Sequence, residues 1–343
     1  MWAHAVTMIS LQGFSKVAAL KHSSKRTRAN PVARASSVRV RCAQKPDIAG
    51  SEGEATFTRR GAFQMVTLSG VALTLSSVPN LPAAATALSL EEALNGKKIV
   101  VLGGTGFVGS QVCKQMVEKG ATVVSVSKRG VAPSGSGAWA GSVQFEAADL
   151  LAPSVDLSAI LKDAVAVVSC IGVIGGSDEE LVAGNGTANE VAVAQAKAAG
   201  VSQFVYISVS SGTMDAVDGI ALKGYFEGKR RAEAAVATAF PNNAAIIKPG
   251  FIYGSDSFGL TPPRVPHGYG DLVENTLSLP PFRAVAKIGG PIGLALSPPV
   301  AVESVAGAVV EAIVDGINYG PFEKYGIIDG TDAINKVASG DHS

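Results

Sequence analysis

Three cysteines, four histidines and two tryptophans in 343 residues leave little material for several kinds of chemistry. Cys42, Cys113 and Cys170 are spaced too widely for a Cys-x-x-Cys pair and are too few for a disulfide framework. Cys42 lies in an N-terminal leader. Cys113 falls on an amphipathic helix and Cys170 at the end of an apolar strand, so both are expected as buried thiols. His4, His22, His267 and His342 show no ligand spacing with one another or with cysteine, so no metal site is expected. Acidic residues are missing from residues 1–46, which hold nine Lys and Arg. The rest of the chain carries 20 basic and 28 acidic residues, so the formal charge of +1 conceals a basic leader on an acidic body. A body of that sign, without a clustered basic face, excludes nucleic acid as the expected partner.

The leader is rich in Ser, Arg, Ala and Val, the composition of an organelle transit peptide rather than of a fold. Val40-Arg41-Cys42-Ala43 resembles a stromal processing site of chloroplast precursors. A linker follows, then Thr58-Arg59-Arg60 ahead of an uncharged run from Gly61 to Leu90 that contains Pro82-Ala83-Ala84-Ala85-Thr86-Ala87. Paired arginines, a short apolar stretch and an Ala-x-Ala end resemble a twin-arginine export signal placed for thylakoid transfer over residues 47–87. The apolar core of about 17 residues is at the lower limit for spanning a bilayer. The expected address is the chloroplast, in the thylakoid lumen or on the thylakoid or plastoglobule surface, with the stroma as the alternative.

Residues 88–343 are long enough for one α/β domain with a modest extra lobe. Apolar runs at Lys98–Leu102, Thr122–Ser127, Val143–Ala147, Ala164–Cys170, Gln203–Ser208, Ala244–Lys248 and Lys324–Ile328 read as strands. Helical patterns at Gly109–Lys119, Leu157–Lys162, Asn185–Ala199, Tyr225–Phe240 and Val302–Val314 lie between most of them. Strands apolar on both faces, alternating with helices, predict a doubly wound, mainly parallel Rossmann sheet. Eight prolines between Pro262 and Pro299 make residues 250–300 an irregular segment, expected to cover the substrate as a small C-terminal lobe.

The first strand runs into Gly103-Gly104-Thr105-Gly106-Phe107-Val108-Gly109, and a helix follows. Glycines at this spacing serve a tight turn, close backbone approach to a pyrophosphate, and close helix–strand packing. Gly103, Thr105, Gly106, Phe107, Val108 and Gly109 are therefore the expected dinucleotide contacts. The second strand ends in Ser127-Lys128-Arg129, where a site selective for NAD(H) would present an acid to the ribose. Lys128 and Arg129 suit a 2′-phosphate instead, so NADP(H) is expected over NAD(H). Asp149, with Leu150 beside it, ends the third strand where a carboxylate could receive the adenine amino group; a helix cap is the alternative role.

Taken in order, GGTGFVG at 103–109, Ser169-Cys170-Ile171-Gly172, Asn185-Gly186-Thr187-Ala188-Asn189, Val205-Tyr206-Ile207-Ser208-Val209-Ser210-Ser211, Tyr225-Phe226-Glu227-Gly228-Lys229 and Lys248-Pro249-Gly250 resemble the short-chain dehydrogenase/reductase superfamily. The wording is similar to its extended or atypical branch, with the complex I accessory subunit, plastoglobule proteins and a ubiquinone-associated member. The resemblance implies Tyr225 as proton donor or acceptor, Lys229 as the ammonium that favours its phenolate, Ser210 as the orienting hydroxyl, with Ser208 and Ser211 as rivals, and Asn185, or Asn189, as the group holding the water or backbone that positions Lys229. It also implies cofactor contacts from Cys170, Gly172, Tyr225, Lys229, Pro249 and Gly250. Tyr225 and Lys229, four residues apart, share a helix face. Only fifteen residues separate Ser210 from Tyr225, a short gap for an extended member. The expected function is an NADPH-dependent oxidoreductase acting on a carbonyl or hydroxyl of a small apolar plastid metabolite, such as a quinone, isoprenoid or pigment intermediate. The alternatives are a nucleotide-binding assembly factor for a thylakoid complex, and an epimerase or dehydratase that uses bound NAD(P).

Overall fold

A computed structural model describes residues 88–217, 222–254, 267–280, 296–319 and 326–340. The expected leader and transfer signal, residues 1–87, lie outside the described residues, as does part of the 250–300 segment. The strands are β1 (Lys98–Leu102), β2 (Thr122–Ser127), β3 (Val143–Ala147), β4 (Ala166–Ser169), β5 (Gln203–Ile207), β6 (Ala244–Lys248), β7 (Ile252–Tyr253), β8 (Val300–Ala301) and β9 (Gly326–Asp329). The helices are α1 (Leu90–Leu94), α2 (Phe107–Glu118), α3 (Ser158–Leu161), α4 (Asp178–Val182), α5 (Ala188–Ala198), α6 (Ser211–Val217), α7 (Lys223–Ala239), α8 (His267–Leu277), α9 (Val302–Tyr319) and α10 (Thr331–Ala338).

Seven strands form one sheet in the order β3-β2-β1-β4-β5-β6-β9, and every pairing in it is parallel. Successive side chains point to opposite sides of the sheet, and the inner strands β2, β1, β4, β5 and β6 bury both faces, whereas the edge strands β3 and β9 are partly exposed. Ile99, Val101, Val123, Val168, Val205 and Ile247 pack on one side with Val112 and Met116 of α2 and with α9. Val100, Leu102, Val124, Val167, Phe204 and Ile246 pack on the other side with Leu161, Ala192, Val193, Ala232 and Val236. This is the doubly wound α/β architecture. The order reverses between β1 and β4, so the loops after those two strands diverge and leave a crevice at the carboxyl edge.

After β6 the chain leaves the main sheet, and β7 pairs in parallel with β8 as a separate two-stranded ribbon. The segment expected to be irregular contains α8, a proline-free stretch long enough for three helical turns. Two further differences lie near the site. The helix expected from Asn185 begins with a π-turn over residues 183–187 before α5, and α7 starts two residues ahead of Tyr225.

Candidate active site

The glycine loop is shaped by two contacts. Gly103 has φ +77°, and a Cβ there would lie 3.1 Å from the carbonyl carbon and oxygen of Cys170 at the end of β4. Handedness and space both require glycine at this point, where the loops from β1 and β4 diverge. A Cβ on Gly109 would strike the Gly103 carbonyl oxygen and stand 2.8 Å from Gly104 Cα. Gly106 caps α2 in extended backbone with no side-chain partner. The first N–H groups of α2 and the positive end of its dipole are therefore unopposed by a side-chain cap, the arrangement that binds phosphate. Thr105 is half-buried, whereas Phe107 is buried and Val108 packs against the core. Phe107 and Val108 would therefore offer backbone to a ligand.

At the other end of this crevice, Ser127 Oγ accepts from Gly130 N–H at 3.1 Å and sets the turn after β2. Lys128 Nζ lies 3.2 Å from Asp149 Oδ2, both groups being exposed. Asp149 also accepts from Leu151 N–H at 3.1 Å. That backbone bond first, and Lys128 second, hold the Asp149 carboxyl below the usual carboxylate range. The two residues expected to touch different parts of a nucleotide thus pair with each other, and Arg129 remains exposed beside them. Asp149 forms a local turn, not the cap of a helix. Leu150 is a core residue that closes the end of β3.

Lys229 is 4% exposed. Its ammonium donates to Ile207 O at 2.9 Å and stands 5.0 Å from the ring centroid of Tyr206 and 5.8 Å from that of Tyr225. Burial brings it down to about 8, against the opposing pull of Cys170 and Glu233. Tyr225 packs edge-on against Phe226 and beside Val209 and Met214. Burial pushes its phenol up to about 12. No lowering by Lys229 offsets this, its ammonium standing 5.8 Å from the Tyr225 ring centroid. A Cβ on Gly172 would sit 3.0 Å from Asn185 Oδ1 and 3.4 Å from Lys229 Nζ, so backbone, amide and ammonium converge there. Cys170, one residue beyond β4, has its thiol pushed up to about 12 by burial.

Asn185 is fully buried in the π-turn, a deformation common at functional sites. Its Oδ1 accepts from Val173 N–H at 3.2 Å, and its Nδ2 donates to Val173 O and Leu181 O, both at 2.9 Å. It holds the loop after β4, not Lys229 itself. Asn189 does the same one turn later: it accepts from Ser169 Oγ at 2.5 Å and donates to Asn185 O at 2.8 Å.

The three serines have separate environments. Ser208 Oγ donates to Glu233. Ser211 uses its N–H on Asp329 at 3.2 Å. Ser210 Oγ pairs with Thr213 Oγ1 at 2.6 Å, its N–H donates to Pro249 O at 2.8 Å, and a Cβ on Gly250 would lie 3.8 Å from its hydroxyl. Ser210 is thus the serine that meets the Pro249-Gly250 loop. Sequence reasoning missed Tyr206, Glu233 and Lys248. Glu233 was legible as the next same-face position after Lys229; Tyr206 and Lys248 read only as strand residues.

The sequence profile described as NAD(P)H-binding matches residues 103–262. Over 239 residues the chain is 36% identical to the chloroplastic protein At1g32220 of Arabidopsis thaliana, itself uncharacterized, covering 67% of this chain and 75% of that one. The chain belongs to the NAD(P)H-binding family. A shorter stretch of this family member, 81 residues, is 37% identical to MIOREX complex component 2 of Saccharomyces cerevisiae, covering 22% of this chain and 29% of that one. Among solved structures, a UDP-N-acetylglucosamine 4-epimerase from Methanobrevibacter ruminantium in complex with UDP-N-acetylmuramic acid shares the fold, with a TM-score of 0.50 and 16% identity over 69% of this chain and 77% of that one. At that identity the likeness concerns architecture alone. The glycine cradle and the start of α2, which has no side-chain cap, fit a nicotinamide dinucleotide.

Proposed function

We propose that this protein is an NADPH-dependent oxidoreductase of the short-chain dehydrogenase/reductase type, extended or atypical branch, acting on a carbonyl or hydroxyl of a small apolar chloroplast metabolite. The observation that carries the reading is Lys229: a buried ammonium beside Tyr225 and against Gly172, at the edge of the sheet where the glycine loop lies. Burying such a charge is costly, and a fold tolerates it where function uses it. Bound NADPH would supply the hydride. Tyr225 passes the proton to or from the substrate oxygen, Lys229 stabilises the phenolate that results, and Ser210 orients that oxygen. Asn185 holds the Val173 backbone and so fixes the loop that carries Gly172. Arg129, free of the Lys128–Asp149 pair, favours the 2′-phosphate of NADP(H) over NAD(H). Val173 and Ile174 follow β4, and Phe251 follows β6; all three are exposed at the same carboxyl edge, which supports an apolar substrate such as a quinone, isoprenoid or pigment intermediate.

The name of the Arabidopsis relative and the acid-free leader together support a chloroplast address, with residues 1–46 as transit peptide. The paired arginines support further transfer to the thylakoid, or association with its surface or with plastoglobules. The purified protein is tested with NADPH and a panel of such carbonyl compounds. Tyr225→Phe is expected to lower turnover by about 10²–10⁴-fold while leaving NADPH bound. Unchanged turnover would remove Tyr225 from the chemistry.

Two observations favour a second reading, a nucleotide-bound assembly factor: the Tyr225 phenol is held neutral to about 12, and the yeast relative is named as a component of a complex. Retention of NADP(H) through purification without oxidation, together with co-migration with a large thylakoid complex, would select it. The epimerase or dehydratase alternative draws on fold likeness alone.

A further inference from the structure

Glu233 lies four residues beyond Lys229 and eight beyond Tyr225 on α7, so the three side chains share one face. Its carboxylate is held at both oxygens. One accepts from Ser208 Oγ, and the other stands 3.2 Å from Lys248 Nζ. Each partner sits at a strand end that feeds the site. Ser208 follows β5, and Ile207 just before it takes the hydrogen bond from Lys229. Lys248 closes β6 and precedes Pro249-Gly250. The same two strand ends are laced together by Ser208 N–H to Ile247 O and Ser210 N–H to Pro249 O, each 2.8 Å.

Two buried lysines lie near this carboxylate. Lys248 is 7% exposed and pairs with it directly; Lys229 is one turn away along the helix. The other ionisable groups facing Lys229 are Tyr225 on its own helix, Tyr206 from β5 and the Cys170 thiol after β4. None of these is negative at neutral pH, since burial pushes both phenols and the thiol up. Glu233 also faces Tyr206, whose buried hydroxyl has no hydrogen-bond partner among the described residues. Apolar side chains in place of this set would pack as well. A half-buried carboxylate paired with one buried lysine and lying one helical turn from another is an electrostatic arrangement, and removing it leaves Lys248 uncompensated.

We infer that Glu233 is a positioning residue of this site: held by Ser208 and Lys248, its carboxylate supplies the counter-charge that keeps Lys229 an ammonium beside Tyr225 and ties α7 to the loops bearing Ser210 and Pro249. The inference rests on the oxidoreductase reading only for its consequence on turnover. Lys248 competes with Lys229 for the same charge, so the two lysines act in opposite senses.

The test is lysine NMR on the full chain with 13C-labelled lysine, the Lys229 signal being the one lost in Lys229→Met. Glu233→Gln keeps the shape and an acceptor for Ser208 but removes the charge. Its Lys229 titration midpoint is expected to fall by about one pH unit. A midpoint within about 0.2 unit of the parent's would overturn the inference. Should Glu233→Gln not fold, Lys248→Met serves instead: freeing the carboxylate is expected to raise the Lys229 midpoint, and an unmoved or lowered midpoint counts against it. Turnover separates this inference from the assigned reaction. If both hold, the alkaline limb of the pH profile in Glu233→Gln moves down with the NMR midpoint. If the midpoint moves and no carbonyl is reduced by any variant, Glu233 stands and the oxidoreductase reading falls.

Discussion

At the scale of the residue, Lys229 has measurable consequences for stability. In the folded chain it gives up its proton at about 8 instead of its ordinary 10.5, because burial disfavours the charge. Between those values the unfolded chain binds more protons than the folded one, so stability rises with pH across that window. The cost, on the order of 3 kcal/mol, is fully present below pH 8 and gone above the unfolded value. Tyr225 works in the other direction, but only above pH 10, where its folded phenol stays neutral to about 12 and stability falls. Lys229→Met is therefore expected to unfold at higher denaturant than the parent at pH 7, with the difference shrinking by pH 10; a constant difference would show that Lys229 is not the titrating group. Arg129 offers a second test by isothermal titration. With Lys128 tied to Asp149, Arg129→Ala is expected to weaken NADPH about tenfold or more and to leave NADH unchanged, while Lys128→Ala has the smaller effect. Equal losses for both nucleotides would dissociate Arg129 from the 2′-phosphate.

At the scale of the element, the site depends on how closely α7 approaches the segment 178–187. Gly228 lies where a Cβ would come 2.8 Å from Asn185 Cβ and 2.9 Å from Gly186 N, and Gly224 meets the backbone of Asp178 in the same way. Small residues on that face let Lys229 reach Ile207 and let the π-turn present Asn185 to Val173. Gly228→Ala is expected to cost about 1–3 kcal/mol in chemical denaturation and to reduce nucleotide retention, since Lys229 and Asn185 would be pushed apart. Gly109→Ala should keep more of the fold but lose dinucleotide binding, because its Cβ would collide with the carbonyl of Gly103. Retained binding in that variant would mean that the loop is not the nucleotide site. The periodicity that located α7 carried no sign of this contact: Tyr225-x-x-x-Lys229 is legible as spacing, whereas Gly224 and Gly228 read as weak helix positions until the partner segment is known.

At the scale of the whole molecule, the first described residues are tied to distant parts of the chain. Leu88 exchanges two hydrogen bonds with Asn318, at 3.1 and 2.8 Å, and Ser89 forms a capping box with Glu92 at the start of α1. Ala93 and Leu94 are fully buried in the core on the α9 side. A fragment of residues 88–343 is expected to unfold at the same temperature as the full chain freed of its leader. A fragment starting at residue 97 should lose about 3–5 kcal/mol through the lost burial and cap. Equal stability of the two would show that α1 is dispensable. Among the described residues no helix is long and apolar enough to cross a membrane.

The sequence by itself determined the sheet and its cofactor loop. Both are local: alternation of apolar residues sets each strand, and the glycine spacing answers to backbone sterics within seven residues. The parallel order followed because strands buried on both faces need helices on both sides. Tertiary structure alone decided which neighbours the polar groups found. Lys128 pairs with Asp149, Asn185 holds the Val173 backbone, and Lys229 bonds Ile207 O. Ser210, preferred over its rivals Ser208 and Ser211, separates from them structurally only once Pro249, Glu233 and Asp329 arrive from distant positions. These are pairings across 12 to 118 residues of chain, set by packing distances of a few ångströms, and no local pattern encodes them.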